Sequence, residues 1–220
     1  ALGVSGRGVK VTLKTAAGER VVAGSHLLVA VGRVPNTEGL NLAAAGVETD
    51  AREFVKVNAK LETTAPDVWA LGDVNGGPQF THASLDDFRI AFANLNGGNR
   101  TTADRMMPYT LFTDPELGRV GLTEDEARNA GLKIKVAKLP ASAIARAVTS
   151  GETRGLLKAV IDADTNKILG ASILLAEGGE IMAAVQMAML GGLPYTAVRD
   201  VVFAHPTMAE GLNDLFARVE

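Results

Sequence analysis

Apolar and polar residues alternate from Val9 to Leu13, and after the turn-like "TAAGER" the apolar residues return at Val21–Val22. That pattern predicts a hairpin of half-buried strands. A continuous apolar run follows, "HLLVAVG" (His26–Gly32), the signature of a parallel strand covered on both faces. "GRVPNTEGLNLAAAGVETD" is rich in Gly, Pro and Asn and reads as a connector. In "DVWALGDVNGG" a second short run, Val68 to Leu71, predicts another buried strand, with Gly72 and Asp73 at its carboxyl end and a loop through Gly76, Gly77 and Pro78. Leu85, Phe88, Phe92 and Leu95 then recur at spacings of three and four, which predicts a helix. Ser84 is its expected cap, Asp86 and Asp87 suit its first turn, and Gly97–Gly98 end it.

The pattern shifts near "GGNRTTADRMMP", which places a boundary around Asp104. Beyond it, "YTLFTDPELGRVG" reads as strand with a turn at Asp114–Pro115. "TEDEARNAG" is a short helix with a capping box at Thr123 and Glu126 and a stop at Gly131. "KIKVAKL" is a strand, and "GLLKAVIDADTNKILGASILL" gives two more around an Asp162–Lys167 turn. An apolar helix in "GGEIMAAVQMAMLGG", a shorter one from Pro194, and a last one in "TMAEGLNDLFARV" complete the chain. Strands followed by helices predict an α+β second domain. The opening hairpin needs neighbours to pair with, so the sequence is expected to be the C-terminal part of a longer protein.

Composition narrows the function classes. The 220 residues are 47% hydrophobic and 21% charged, with net charge −3, ordinary for a globular chain. No basic run suggests nucleic acid or an anionic membrane surface, and the apolar runs are too short or too interrupted for a membrane span. The absence of cysteine excludes disulfides and thiolate metal sites, and His26, His82 and His205 lack metal-ligand spacing. Met182, Met187 and Met189 read as core or interface filler rather than soft-metal ligands.

Three places could carry chemistry. Asp73, beyond a strand and ahead of a helix N-terminus, is placed either to bind the hydroxyls of a sugar-like ligand or to cap a turn. The signal at Gly32 and Arg33 is weaker: Gly32 would allow close backbone approach and Arg33 could meet an anion, but a plain loop glycine and surface arginine is the favoured reading. In "HPTMAE", Thr207 and Glu210 have capping-box spacing behind Pro206, while His205 and Glu210 have the makings of a proton-carrying dyad. Spacing alone favours the cap, since capping boxes are common and dyads rare.

Four motifs change that picture by their order: "LLVAVGRVPNTEGLNLAAAGV", "TTAPDVWALGDVNGGPQFTHAS", "PYTLFTDPELGRVGLTEDEAR" and "HPTMAEGLNDLF". Together, and over nearly the whole chain, they resemble the C-terminal half of the pyridine nucleotide–disulfide oxidoreductases, the family of dihydrolipoamide dehydrogenase, glutathione reductase and mercuric reductase. The resemblance implies an α/β remnant of FAD- and NAD(P)-binding domains plus an α+β interface (dimerisation) domain. Residues 1–35 would end the NAD(P)-binding domain, 36–104 would be the C-terminal segment of the FAD domain, and 105–220 the interface domain. It further implies that Gly72 and Asp73 meet the ribityl chain of FAD, that Thr81, His82 and Ala83 lie along the flavin pyrimidine edge, and that Gly32 and Arg33 belong to the cofactor-binding region.

His205 and Glu210 match the family's acid–base dyad, donated across a homodimer to a partner's redox-active cysteine pair. That pair and both G-x-G-x-x-G loops lie upstream in the family. The implied protein is a cytoplasmic FAD-containing NAD(P)H oxidoreductase serving a disulfide, small-molecule or metal-ion acceptor. The present chain alone would be inactive, or a catalytically silent dimerisation module. "FT…SLDDFRI", "LPYTAVRDVVFAHPTMAEGLNDLF" and "LGASIL" depart from the lipoamide dehydrogenase pattern and look more like bacterial reactive-chlorine-resistance flavoproteins, which reduce Cu(II). Mercuric reductases carry cysteines near the C-terminus; this chain has none, which argues against mercury as substrate.

Overall fold

A computed structural model of the chain describes residues 2–5, 8–103 and 105–220, and for residues 2–5 the backbone alone. Two compact units divide it, residues 1–102 and 103–220. The boundary expected at Asp104 falls on a residue outside those described.

In the N-terminal unit, β1 (Leu2–Ser5), β2 (Gly8–Thr15) and β3 (Gly18–Gly24) form an antiparallel sheet in that order. Val11 pairs with Val22, the hairpin that the alternation predicts. Its turn closes on Gly18, whose φ of +109° suits glycine, with the Thr15 hydroxyl donating to the Gly18 carbonyl.

The apolar run after it is not a strand. Residues 26–31 have no ladder, and Leu28, Val29 and Val31 are 88, 67 and 90% exposed. A strand exists only through its neighbours' hydrogen bonds, and among the described residues no parallel partner meets this run. The second run is corrected likewise: Trp69 forms a single bridge to Glu62, Ala70 is buried, and Val68 and Leu71 stay partly exposed. A small core of Val47, Val55, Ala65 and Ala70 holds this region.

Helix α1 (Thr81–Leu95) is longer than expected. The Phe80 carbonyl accepts from the Ser84 N–H at 3.0 Å, so the helix begins upstream of Ser84 and Ser84 is not its cap. Asp86 and Asp87 therefore lie beyond the first turn. The apolar stripe has helical spacing but faces outward: Leu85, Phe88, Phe92 and Leu95 are 49–61% exposed, while Ala83, Asp87, Ile90 and Ala91 are buried. Positions two apart on a helix point in nearly opposite directions, so the buried face is the one carrying a carboxylate.

The C-terminal unit is built on a five-stranded antiparallel sheet. Strands β4 (Tyr109–Leu111), β5 (Glu116–Gly121), β6 (Ile134–Pro140), β7 (Leu156–Asp162) and β8 (Ile168–Leu175) stand in the order β4-β5-β8-β7-β6. Alternation sorts its faces. Val120, Leu139, Leu157, Ile161, Ile173 and Leu175 are at most 1% exposed and join one core. Helix α4 (Gly178–Leu190) adds Ile181, Met182 and Val185 to that core. Gly118 admits this packing: a Cβ there would strike the Gly178 carbonyl oxygen and stand 2.7 Å from the Met182 Cβ.

The opposite face carries Arg119 and Lys158, each paired in register with Ser172, and the Arg119 guanidinium donates to the Ser172 hydroxyl and the Gly121 carbonyl. Helix α2 (Glu124–Asn129) has the expected capping box: Thr123 Oγ1 accepts from the Glu126 N–H, and Glu126 Oε2 accepts from the Thr123 N–H. Helix α3 (Ala145–Ser150) precedes β7. Helices α5 (Tyr195–Asp200) and α6 (Gly211–Phe216) end the unit. α6 is shorter than expected, because residues 207–210 are not helical. Among the described residues, no helix is long and apolar enough to cross a membrane.

Candidate functional site

The candidate residues fall in two places, one in each unit. In the N-terminal unit Asp73 sits in a tight 3-10 turn, Gly72–Asn75, rather than at a strand end. Glycine is demanded at position 72 twice over: its φ is +74°, and a Cβ would lie 2.7 Å from the Ser84 hydroxyl of α1. The buried Asp87 carboxylate holds the turn. Its Oδ2 accepts from the Gly72 N–H at 2.9 Å and from Asn75 Nδ2 at 3.0 Å. Asn75 also donates to the Ala70 carbonyl and accepts from the Gly77 N–H. Burying a carboxylate is costly unless hydrogen bonds satisfy it, and here those bonds set the backbone that presents Asp73.

The sequence reading missed Asp87 because the outward apolar stripe hid the inward one. The signal was there, in Ala83, Asp87, Ile90 and Ala91 at i, i+4, i+7 and i+8.

Asp73 itself is half-exposed and paired: Arg33 Nη1 donates to its Oδ2 at 2.8 Å. Two of the sequence candidates are thus brought together, and the anion that Arg33 meets is Asp73. Both residues line two open clefts of about 730 and 440 Å³. The larger is also lined by Thr81, the first residue of α1, and by Leu85 and Phe88 from its exposed stripe. Thr81 and His82 are exposed and Ala83 is buried, with the His82 ring stacked on Phe80 at 5.1 Å between centroids. Gly32, at φ +109° with open space where a Cβ would stand, precedes Arg33. The cleft combines a carboxylate, the start of a helix and an apolar wall. Such a surface suits a ligand with hydroxyls at one end and a flat, electron-rich ring at the other.

In the C-terminal unit the side chains of "HPTMAE" make two kinds of contact. The Glu210 N–H donates to Thr207 Oγ1 at 3.3 Å, which is one arm of a capping box. The other arm goes elsewhere: Glu210 Oε2 is 2.8 Å from His205 Nδ1. A carboxylate only accepts, so Nδ1 carries the proton and Nε2 is left available to another molecule. The two side chains differ sharply in exposure, 72% for His205 and 15% for Glu210. Glu210 Oε1 is buried without a hydrogen-bond partner, so His205 supplies the one side-chain hydrogen bond this carboxylate makes. The Thr207 hydroxyl donates to the Ala204 carbonyl at 2.7 Å, closing the loop across the histidine. The arrangement is an imidazole held outward by a partly buried carboxylate, able to take up and return a proton at Nε2.

Comparison with known proteins follows this division. The pyridine nucleotide-disulphide oxidoreductase dimerisation domain matches residues 107–216, and the pyridine nucleotide-disulphide oxidoreductase domain matches residues 2–87. The probable pyridine nucleotide-disulfide oxidoreductase RclA of Escherichia coli K12 is 48% identical over 196 residues, 88% of this chain and 44% of that protein. A dihydrolipoyl dehydrogenase of Thermus scotoductus is 42% identical over 94% of this chain and 45% of its own length. The solved structure of the HOCl-induced flavoprotein disulfide reductase RclA from Escherichia coli superposes with a TM-score of 0.93 at 44% identity, covering 100% of this chain and 50% of that one. A Cu(II) complex of the same protein superposes at 0.92 over 98% of this chain and 48% of that one, also at 44% identity. The chain spans about half the length of the relatives it matches.

Proposed function

Because the chain belongs to the pyridine nucleotide-disulphide oxidoreductases, we propose that it is the C-terminal part of an FAD-containing, NAD(P)H-dependent oxidoreductase. In this reading residues 1–35 end a nicotinamide domain, 36–104 complete the flavin domain, and 105–220 form the interface of a homodimer. The observation that carries it is the 2.8 Å contact between His205 Nδ1 and Glu210 Oε2, made at the expense of a closed capping box.

The N-terminal cleft fits part of a flavin. Asp73 offers a half-exposed carboxylate to ribityl hydroxyls, Gly72 makes the turn that presents it, and Thr81, His82 and Ala83 form the N-terminus of α1. Arg33 aims the Asp73 carboxylate through their 2.8 Å hydrogen bond. Bound FAD would supply a two-electron relay between the nicotinamide and a thiol pair. This chain supplies the cleft wall and, in the partner subunit's active site, the proton carrier. His205 Nε2 takes a proton from the thiol as it becomes a thiolate and returns one to the departing sulfur, while Glu210 keeps the ring in the tautomer that frees Nε2. The acceptor is a disulfide or a metal ion, the classes to which the relatives' names point.

The test is a separation of half-reactions in the full-length flavoenzyme. His205→Ala is expected to slow turnover with a disulfide acceptor by roughly 10²- to 10⁴-fold, the usual contribution of a positioned acid–base group, while flavin bleaching by NAD(P)H keeps its wild-type rate. Equal loss of both half-reactions would remove His205 from the proposed role.

A further inference from the structure

Helix α5 ends without its own cap. Its C-terminal carbonyls have no partner within the helix, and Val201 turns the chain to extended backbone at φ −68° and ψ 147°. A single side chain from the next helix meets that end. Asn213 Nδ2 stands 2.9 Å from the Val198 carbonyl oxygen, 2.9 Å from that of Arg199 and 3.0 Å from that of Val201. Its own helix is firmly seated, with neighbours Leu212, Leu215 and Phe216 at most 1% exposed. The connection 201–210, which carries His205 and Glu210, therefore leaves from a turn clamped by Asn213 and returns into the helix that bears Asn213.

The connection has little packing of its own to hold it. Val202 is 95% exposed, and Met208 is its one buried hydrophobic residue. Its internal bonds are those of Thr207 and the His205–Glu210 pair itself. A loop of this kind keeps its geometry through its ends. We propose that Asn213 is a positioning residue for the His205–Glu210 pair, fixing where the imidazole stands by tying the end of α5 to α6. This rests on the reading of the pair as a dyad and assigns its alignment to a residue whose side chain is hydrogen-bonded to neither member, its backbone N–H alone meeting the Glu210 carbonyl at 3.0 Å.

The three histidines make the test direct. Ring-nitrogen and ring-carbon NMR signals of His205 are followed through a pH titration of the 220-residue chain, with His26 and His82 as internal controls in the other unit. In Asn213→Ala the population protonated at Nδ1 is expected to fall and the His205 ring signals to move accordingly, with both control histidines and the buried methyl signals of β7, β8 and α4 unchanged. A His205 spectrum identical to wild type in the folded variant would overturn the proposal.

Asn213→Ser, with a shorter donor that cannot span the same carbonyls, keeps the test open should the alanine variant fail to fold. It is expected to shift His205 in the same direction by a smaller amount, and no shift again counts against the proposal. Glu210→Gln separates the two levels. If it leaves His205 unchanged, the dyad itself is absent. If it shifts His205 while both Asn213 variants are silent, only the positioning role fails.

Discussion

Gly72 and Asp87 show how much a single position can depend on a partner distant in sequence. The left-handed φ at Gly72 and the nearby Ser84 hydroxyl make alanine there doubly unfavourable. Gly72→Ala is expected to destabilise the N-terminal unit by about 1–2 kcal/mol from backbone conformation alone, with the contact adding to it. The chain has one tryptophan, Trp69, a few residues away, so urea unfolding followed by its fluorescence reads this unit. Adding Ser84→Ala to the glycine variant should recover the steric part and leave the backbone part. Full recovery would show that φ is immaterial there.

The importance of Gly72 and Asp73 was legible in the sequence, since a glycine–aspartate pair ahead of a helix is a recognisable arrangement. The Asp87 anchor was not, because reading it requires knowing which of two opposed faces of α1 turns inward. His205 and Glu210 were legible as a pair, but a capping box and a dyad share one spacing. Only the direction of the Glu210 carboxylate tells them apart.

At the scale of elements, regular structure was legible where a segment finds its partners locally. The β2–β3 and β7–β8 hairpins, the Thr123–Glu126 cap and α4 satisfy their hydrogen bonds with near neighbours in sequence. The apolar runs at 26–32 and 68–71 do not form strands, because a buried parallel strand depends on strands remote in sequence. The charge on α2 depends on one remote and one near partner in sequence. Hydrogen bonds from Lys158 and then Arg128 hold the Glu124 carboxyl down at about 2, from an ordinary 4.5. A carboxyl lowered by folding stabilises the native state above its unfolded value and loses that effect as pH falls through the folded one.

The stability difference between wild type and Glu124→Gln should therefore be full at neutral pH and shrink between about 4.5 and about 2. Denaturation followed by far-UV circular dichroism across that range measures it. A constant difference would mean that the Lys158 and Arg128 contacts do not form in solution.

For the molecule as a whole, the two units differ in how complete they are. The C-terminal unit encloses one continuous core from β5 through α6. The N-terminal unit has a small core cluster of Val47, Val55, Ala65 and Ala70 with further buried residues on α1, and leaves the outward stripe of α1 and the run 27–34 largely in solvent. That contrast accords with a chain spanning about half the length of its relatives.

The central claim is that His205 serves a thiol in the other subunit, and mixing inactive dimers tests it most directly. One full-length variant carries His205→Ala with its cysteine pair intact. The other keeps His205 and has both cysteines of the pair replaced by serine. Each homodimer alone lacks one half of every active site. After the subunits exchange, turnover with a disulfide acceptor is predicted to return, because each mixed dimer contains one site that joins an intact cysteine pair to an intact His205 from the opposite chain. Mixed dimers, verified by mass, that remain as inactive as their parents would contradict the account.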